Sequence, residues 1–195
     1  MIDQAHDRVR AIYGSEIGRK RNELVTPALI LDLDVLRRNL DVMAELMKTM
    51  PAKLRAHIKV HKSPHIARMQ IEAGAIGVGT ATIWEAIVMA RAGIEDVFVI
   101  NEVVGSEKIR TAALLAREVP LKVAVDNIAN AEALSEAARQ AGSQISCLIE
   151  VDTGMVRCGV TSPEEAGTAG PRRPVRSRIR RGGWPAAGGH SRPSR

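Results

Sequence analysis

A lysine set between two histidines, in the stretch 55–62, is the group in this chain best suited to chemistry. Read as a strand, the stretch has an apolar and a polar face, and the polar face carries His57, Lys59 and His61. An amine so placed is partly desolvated and close to groups that can carry positive charge, and both effects free it as a nucleophile for Schiff-base chemistry. The competing interpretation is a strand end whose Lys and His side chains simply reach water.

The two histidines of this stretch do not predict a metal site. His57 and His61 stand four residues apart, a spacing that brings two metal ligands together on a helix but not on a strand. No metal ligands are therefore assigned in the sequence.

A second informative stretch, residues 152–159, reads Asp-Thr-Gly-Met-Val-Arg-Cys-Gly. Its two glycines permit a sharp loop, and Arg157 offers fixed hydrogen-bond donors to an anionic or electron-rich ligand atom. The alternative is a surface loop with a solvated arginine. Cys158 is better explained as a small packed residue than as a nucleophile, because the sequence supports no pairing with a histidine.

The elements that must position these residues alternate along the chain. Six apolar segments centred near residues 30, 57, 77, 98, 123 and 148 predict strands, and the segments between them predict helices. This alternation implies a parallel sheet covered by helices, and the even spacing favours a barrel over a doubly wound sheet. Polar residues that follow strands would then gather at one edge, at 59–62, 101–102, 126–127 and 152–157.

Two local predictions concern the beginning of the chain. Residues 1–23 are predicted to form a helical segment that precedes the first strand, which is expected over residues 28–33. Asp34 is predicted to cap the helix that follows, over residues 35–49.

The composition limits the classes of protein that the chain can belong to. It has 195 residues, 45% hydrophobic and 26% charged, which is typical of one soluble domain with a core. No signal peptide is recognisable at its start, and no apolar run approaches the ~18–20 residues of a membrane span. The two cysteines, Cys147 and Cys158, do not suggest a disulfide scaffold. A cytoplasmic protein with free thiols is expected.

The basic character of the chain is concentrated at its end. Its net charge is +6, but residues 166–195 hold eight arginines and no acidic residue, which leaves 20 basic against 22 acidic residues elsewhere. The remaining domain is therefore slightly acidic, with a net charge of −2. This distribution is poor support for specific nucleic-acid binding or for membrane binding.

Four segments, 26–32, 55–64, 101–105 and 152–159, together resemble a known enzyme group. They are similar to the D-threonine aldolases and D-serine dehydratases, which use pyridoxal 5′-phosphate (PLP) and have the fold type III barrel of the alanine racemase N-terminal domain. The resemblance runs from about residue 24 to residue 161. It implies an incomplete (β/α)8-type barrel over residues 24–165, with about six βα units and without the family's C-terminal β-domain.

The resemblance also implies roles for individual residues. Lys59 would form the Schiff base with PLP, and Arg157 would lie beside the cofactor ring near its phenolic oxygen. The family usually has glycine where this chain has Val156, and a β-branched residue there would strain the loop if the backbone requires a positive φ.

The function that the resemblance implies is that of a PLP-dependent lyase acting on D-β-hydroxy amino acids, as an aldolase or a dehydratase. Intact relatives are expected to be homodimers and to hold Mn²⁺ or Zn²⁺ through ligands that this chain does not contain, so the chain as given is expected to be inactive. The first alternative is a non-catalytic protein of PLP homeostasis or a relative of the amino-acid racemases. The second alternative is a nucleic-acid-binding protein with a basic tail.

The last segment, residues 166–195, has six glycines, four prolines and no apolar periodicity, which predicts a disordered tail. A shifted reading frame would explain this composition. A genuine basic tail that binds an acidic partner is the alternative.

Overall fold

The computed structural model describes Asp7, Arg10, Ala11 and residues 13–169. The chain divides into two compact units, residues 1–39 and residues 40–195. The predicted tail lies mostly outside the described residues, although its first four residues, 166–169, belong to the last described helix. The prediction of a disordered tail over residues 170–195 therefore stays a prediction.

The described residues of the first unit match the predicted elements only in part. Of its predicted helix, residues 7, 10, 11 and 13 are helical, and two short 3-10 helices follow at Gly14–Glu16 and Arg21–Glu23. The strand expected over residues 28–33 is wrong, because residues 28–32 pair with no strand in the described part of the chain. The side chains of Leu29 and Ile30 are exposed there.

Helix α1, Leu33–Lys48, starts at a different cap from the one predicted. The Oδ1 atom of Asp32 accepts the backbone N–H groups of Asp34 and Val35, both at 3.0 Å. Asp32 therefore satisfies the free N–H groups at the helix start, and Asp34 lies within the first turn instead.

A parallel sheet organises the second unit. Its strand order is β1-β2-β3-β4-β5, so each strand pairs with its neighbours in sequence. The strands are Ala56–His57 (β1), Val78–Thr80 (β2), Val97–Glu102 (β3), Leu121–Val125 (β4) and Ile145–Ile149 (β5). The helices between and after them are Pro64–Glu72 (α2), Ile83–Arg91 (α3), Ser106–Leu115 (α4), Ile128–Ala141 (α5) and Pro163–Ala169 (α6). The parallel α/β class is confirmed, with five strands in the described residues instead of six.

Side chains cap the start of three helices of the second unit. Ser63, Thr82 and Asn127 each accept the N–H group of the residue three positions later, at the start of α2, α3 and α5. These caps turn the chain from the end of one strand into the next helix, so that the helix packs back on the sheet. The helices of the described residues are not long and apolar enough to cross a membrane.

The core lies between the sheet and its helices, and it is aliphatic. In β4, Leu121, Val123 and Val125 are fully buried against the helices. The opposite face of the sheet is more polar. At its amino end, Oδ1 of Asp96 lies 2.7 Å from Nη1 of Arg55 and 2.6 Å from Nζ of Lys122. The carboxylate of Asp96, which precedes β3, thus links Arg55, which precedes β1, to Lys122 in β4.

Candidate active site

Polar side chains collect at the carboxyl edge of the sheet. Lys59 follows β1, Glu102 ends β3, Asp126 follows β4, and Glu150 follows β5. Because the strands are parallel, their carboxyl ends lie along one edge, which is where α/β proteins place their binding sites.

The backbone leaves the sheet at Ile58 and forms a turn over residues 58–62, here called the lysine turn. The N–H of Ile58 still donates to the carbonyl oxygen of Gly79 at 2.9 Å, but the N–H of Lys62 donates back to the carbonyl oxygen of Ile58 at 2.8 Å. Lys62 has a φ of 52°, in the left-handed region that closes such a turn. The predicted strand is therefore too long, and Val60 is 88% exposed instead of packing under helices.

The two histidines hold this turn through the same ring atom. The Nδ1 atom of His57 accepts the backbone N–H of Lys59 at 3.3 Å, and the Nδ1 atom of His61 accepts that of Ser63 at 3.0 Å. The Nε2 atom of His61 lies 3.3 Å from Oε1 of Gln70 in α2, so its N–H can donate there. An imidazole that accepts at Nδ1 carries its proton at Nε2 and is neutral.

The electrostatics around His57 agree with a neutral ring. Its partial burial, followed by the charge of Lys59, lowers the pKa of His57, and these effects outweigh Glu85 and the backbone of Gly79. The lowered pKa makes His57 less ready to carry the positive charge that the sequence analysis considered for this group.

Lys59 itself is exposed. Its Nζ atom forms no hydrogen bond or ion pair with any residue that the structure describes. The sequence analysis expected this amine to be partly desolvated. The structure instead leaves it accessible to solvent. The neighbouring groups hold the backbone and leave the amine open to a ligand.

The loop after β5 is folded around Asp152. Its Oδ1 atom accepts the N–H of Gly154 at 2.8 Å and the N–H of Val156 at 3.1 Å. A side-chain carbon at Gly159 would lie 2.7 Å from the backbone nitrogen of Asp152, so only glycine fits where the loop closes on itself. Val156 has a φ of 52°, which confirms that a β-branched residue occupies a left-handed position.

Arg157 emerges from this loop next to a cluster of acidic groups. Two glutamates, Glu102 and Glu150, lie here together with Cys158, and their carboxylate oxygens and its sulfur lie within 4.8 Å of one another. These three residues are here called the carboxyl cluster. The Sγ atom of Cys158 donates to Oε1 of Glu150 at 3.0 Å, and Glu150 thereby raises the pKa of the thiol. A thiol with a raised pKa is a poor nucleophile, in agreement with the prediction that Cys158 does not act as one. Cys158 is half-buried.

The pKa of Glu102, a member of the carboxyl cluster, is raised. Burial raises the pKa of Glu102, and the nearby carboxyl groups of Glu150 and Asp126 raise it further, although its own backbone N–H acts in the opposite direction. Cys158 and, more weakly, Glu150 and Glu102 raise the pKa of Arg157. The cation of Arg157 and a proton on the carboxyl cluster therefore both relieve the repulsion between these acids.

The structure brings some predicted site residues together and leaves others apart. Lys59 and Arg157 share the carboxyl edge, but they follow the outermost strands of the described sheet, β1 and β5. The sequence analysis missed Glu150 and Glu85. An acidic residue directly after an apolar strand, as at Glu150, is the signal that would have identified the first of them.

The chain is similar to a small set of enzymes with related names. A D-threonine aldolase of Arthrobacter sp is 43% identical over 136 residues, which cover 70% of this chain and 36% of the aldolase. A 3-hydroxy-D-aspartate aldolase of Paracoccus denitrificans is 40% identical over 149 residues, covering 75% of this chain and 38% of that enzyme. The chain therefore spans a little over a third of the length of these relatives.

Solved structures give the same result. The crystal structure of a D-threonine aldolase from Filomicrobium marinum superposes with a TM-score of 0.71 at 46% identity, covering 73% of this chain and 38% of the aldolase. The D-threo-3-hydroxyaspartate dehydratase from Delftia sp. HT23 superposes with a TM-score of 0.65 at 34% identity, covering 71% and 37%. The family described as "Alanine racemase, N-terminal domain" matches residues 31–172. With this match over most of its length, the chain belongs to the alanine racemase N-terminal domain family.

Proposed function

We propose that this chain is part of a PLP-dependent lyase that acts on D-β-hydroxy amino acids, as an aldolase or a dehydratase. The observation that carries the proposal is the amine of Lys59, which is exposed at the carboxyl edge of the sheet and has no partner among the described residues. The relatives named above support the substrate class, because D-threonine and 3-hydroxy-D-aspartate are both D-β-hydroxy amino acids.

The donor groups at this edge fit the chemistry of PLP. The aldehyde of PLP needs a free amine, which Lys59 offers, and its phenolic oxygen accepts a hydrogen bond from a cation such as Arg157. When bound, the cofactor accepts the electron pair that the breaking bond at the substrate leaves behind. The assignment of these two residues rests on the resemblance and on their shared edge.

The residues of the chain would divide the remaining tasks. Lys59 would hold the cofactor through its aldehyde carbon, and its free amine would be available to accept a proton at Nζ. Arg157 would orient the ring and keep positive charge beside it. The raised pKa of Glu102 would make its carboxyl group a stronger proton acceptor than an ordinary glutamate at the same edge of the sheet.

The described residues do not form a complete site for a divalent metal. The carboxyl cluster offers three ligand atoms, and the Sγ–H of Cys158 donates a hydrogen bond to Glu150. A metal at this cluster would have to displace that hydrogen bond and release the thiol proton, so we route no step through a metal there.

Three further parts of the proposal concern the setting of the enzyme. The substrate is a small D-amino acid, the intact protein is a homodimer, and its location is the cytoplasm. These parts rest on the sequence resemblance and stay predictions.

The proposal is tested by trapping PLP on the protein. The chain is incubated with PLP, reduced with borohydride, digested and mapped by mass spectrometry, and the modified peptide should contain Lys59. Lys59→Arg should abolish this adduct, whereas the matched exchange Lys53→Arg, at another exposed lysine, should leave it unchanged. Equal labelling of the Lys59→Arg variant elsewhere in the chain, at the rate of the parent, would refute the assignment.

The choice between a lyase and a PLP-storage protein needs a second assay. A lyase converts D-threonine to glycine and acetaldehyde, or D-serine to pyruvate and ammonia, whereas a storage protein binds PLP and releases none of these products. Product formation in the presence of PLP and Mn²⁺ or Zn²⁺ would support the lyase, while an adduct at Lys59 without any product is the result expected for a storage protein or an incomplete enzyme.

A further inference from the structure

The lysine turn contains two hydrogen bonds of the same kind. His57 and His61 each accept, at Nδ1, the backbone N–H of the residue two positions later, which is Lys59 in one case and Ser63 in the other. The two histidines thus bracket the turn, one where it leaves β1 and one where it enters α2.

The first of these bonds acts on the backbone of Lys59 itself. Lys59 follows directly after Ile58, whose N–H is the last one of this segment to donate to the neighbouring strand. The N–H of Lys59 points away from β2, because alternate N–H groups of a strand point to opposite sides, and it donates to Nδ1 of His57. This contact holds the backbone of Lys59 against the ring of His57 at the point where the chain leaves the sheet.

The second bond anchors the other end of the turn. The Nδ1 atom of His61 accepts the N–H of Ser63. Its Nε2 atom lies 3.3 Å from Oε1 of Gln70, in the second turn of α2. Ser63 in turn caps α2 through the N–H of Ile66. The end of the lysine turn is thus connected to the helix that follows it.

We propose that His57 and His61 are positioning residues, which hold the lysine turn through their Nδ1 atoms and so present the amine of Lys59 to the cofactor. This inference rests on the proposed function of Lys59. It gives the histidines a structural role as hydrogen-bond acceptors at Nδ1.

The geometry predicts which substitutions preserve these hydrogen bonds. The side-chain oxygen of asparagine stands at the same number of bonds from the backbone as Nδ1 of histidine, so Asn can accept the N–H of residue i+2. The oxygen of glutamine stands one bond further out, like Nε2. His57→Asn should therefore preserve the bond to Lys59, whereas His57→Gln and His57→Ala should lose it.

The test uses the full chain and measures the rate at which borohydride-trapped PLP accumulates on the Lys59 peptide. His57→Ala and His57→Gln should slow this rate about three- to tenfold, the range expected for the loss of one hydrogen bond. His57→Asn should stay within about twofold of the parent. The control His65→Ala, at an exposed histidine of α2, should leave the rate unchanged.

A second measurement is independent of the cofactor. Nitrogen-15 NMR should show Nδ1 of His57 and His61 as unprotonated acceptors, and hydrogen exchange should show the Lys59 amide protected in the parent and in His57→Asn but not in His57→Gln. Equal trapping rates for His57→Asn and His57→Gln, or a protonated Nδ1 in the parent, would overturn the inference. If the parent instead forms no adduct at Lys59 while its amide is protected, the proposed function fails and the positioning of the turn stands.

Discussion

The Nζ atom of Lys62 lies 3.0 Å from the Oε1 atom of Glu85. This ion pair connects the lysine turn to the first turn of α3. The side chain of Glu85 is only 11% exposed, and its Oε2 atom also accepts the N–H of Ala81 at 2.8 Å. Burial raises the pKa of Glu85, but the N–H of Ala81 and the ammonium of Lys62 outweigh it and hold the pKa below its usual value.

Glu85→Gln should destabilise the second unit by about 1 kcal/mol at neutral pH, because the amide keeps a contact with Ala81 but loses the charge that binds Lys62. A lowered carboxyl pKa contributes stability above the pKa of an ordinary glutamate and loses it as the pH falls through the folded value. The thermal midpoints of parent and variant should therefore converge in acid. Glu107→Gln, which removes an exposed pair with Arg110, is the control and should have a smaller effect at every pH. A constant difference between parent and Glu85→Gln across this pH range would contradict the prediction.

Val156→Gly should stabilise the chain by roughly 1 kcal/mol, because it removes a β-branched side chain from a left-handed backbone position. The matched control is Val60→Gly, since Val60 is also 88% exposed but has no positive φ. That control should be destabilising through the added freedom of the unfolded chain. The comparison of the two by urea unfolding checks the strain directly, and a loss of stability in both variants would refute it.

Asp96→Asn should destabilise the chain by about 1–2 kcal/mol, because it leaves the mostly buried guanidinium of Arg55 without a counter-charge. Burial raises the pKa of Asp96, but the hydrogen bonds from Arg55 and Lys122 outweigh it and hold this pKa below its usual value. The stabilisation by Asp96 is therefore present near neutral pH and lost in acid. Lys122→Met is a companion variant that removes only the more exposed cation and should cost less. Urea unfolding at pH 7 measures both, and an equal cost for the two variants would show that Arg55 is not the main partner.

Glu102→Gln should stabilise the chain at neutral and higher pH and have no effect in acid. A raised carboxyl pKa favours folding below the unfolded pKa, and this contribution is lost as the pH rises through the folded pKa. The side-chain amide of glutamine is uncharged at every pH, like the protonated acid. The variant therefore avoids the loss of stability that the ionisation of Glu102 causes. Glu132→Gln, at an exposed position of α5, should show no such dependence. A lower thermal midpoint of Glu102→Gln at pH 7 would contradict the raised pKa.

The parts of the fold that follow from local pattern were predictable. Strand β4 is centred on the predicted residue 123 and is followed by a helix, as predicted, because the cap Asn127 starts α5 and the helix ends at Gly142, whose φ is 63°. The strand expected over residues 28–33 shows the limit of such patterns. An apolar segment becomes a strand only when another strand pairs with its backbone, and its own sequence does not encode that partner.

The lysine turn could not be predicted from periodicity either. The alternation around Lys59 is that of a strand, but the N–H of Lys62 donates to the carbonyl oxygen of Ile58, and the N–H groups of Lys59 and Ser63 donate to the imidazole Nδ1 atoms of His57 and His61. These local hydrogen bonds stabilise a turn in place of a longer strand. Glu150 could have been identified from its place directly after an apolar strand, but its proximity to Glu102 could not. That proximity depends on how the strands are ordered in the sheet.

The order of the strands has a consequence for how the chain can be made. Each strand of the sheet pairs with the strand before it, and paired residues such as Val97 and Leu121 stand roughly 20–25 residues apart along the chain. No strand of the described sheet has to wait for a partner that is synthesised much later. The sheet can therefore grow at one edge while the ribosome is still translating, each new βα unit closing over the hydrophobic surface that the previous one left open.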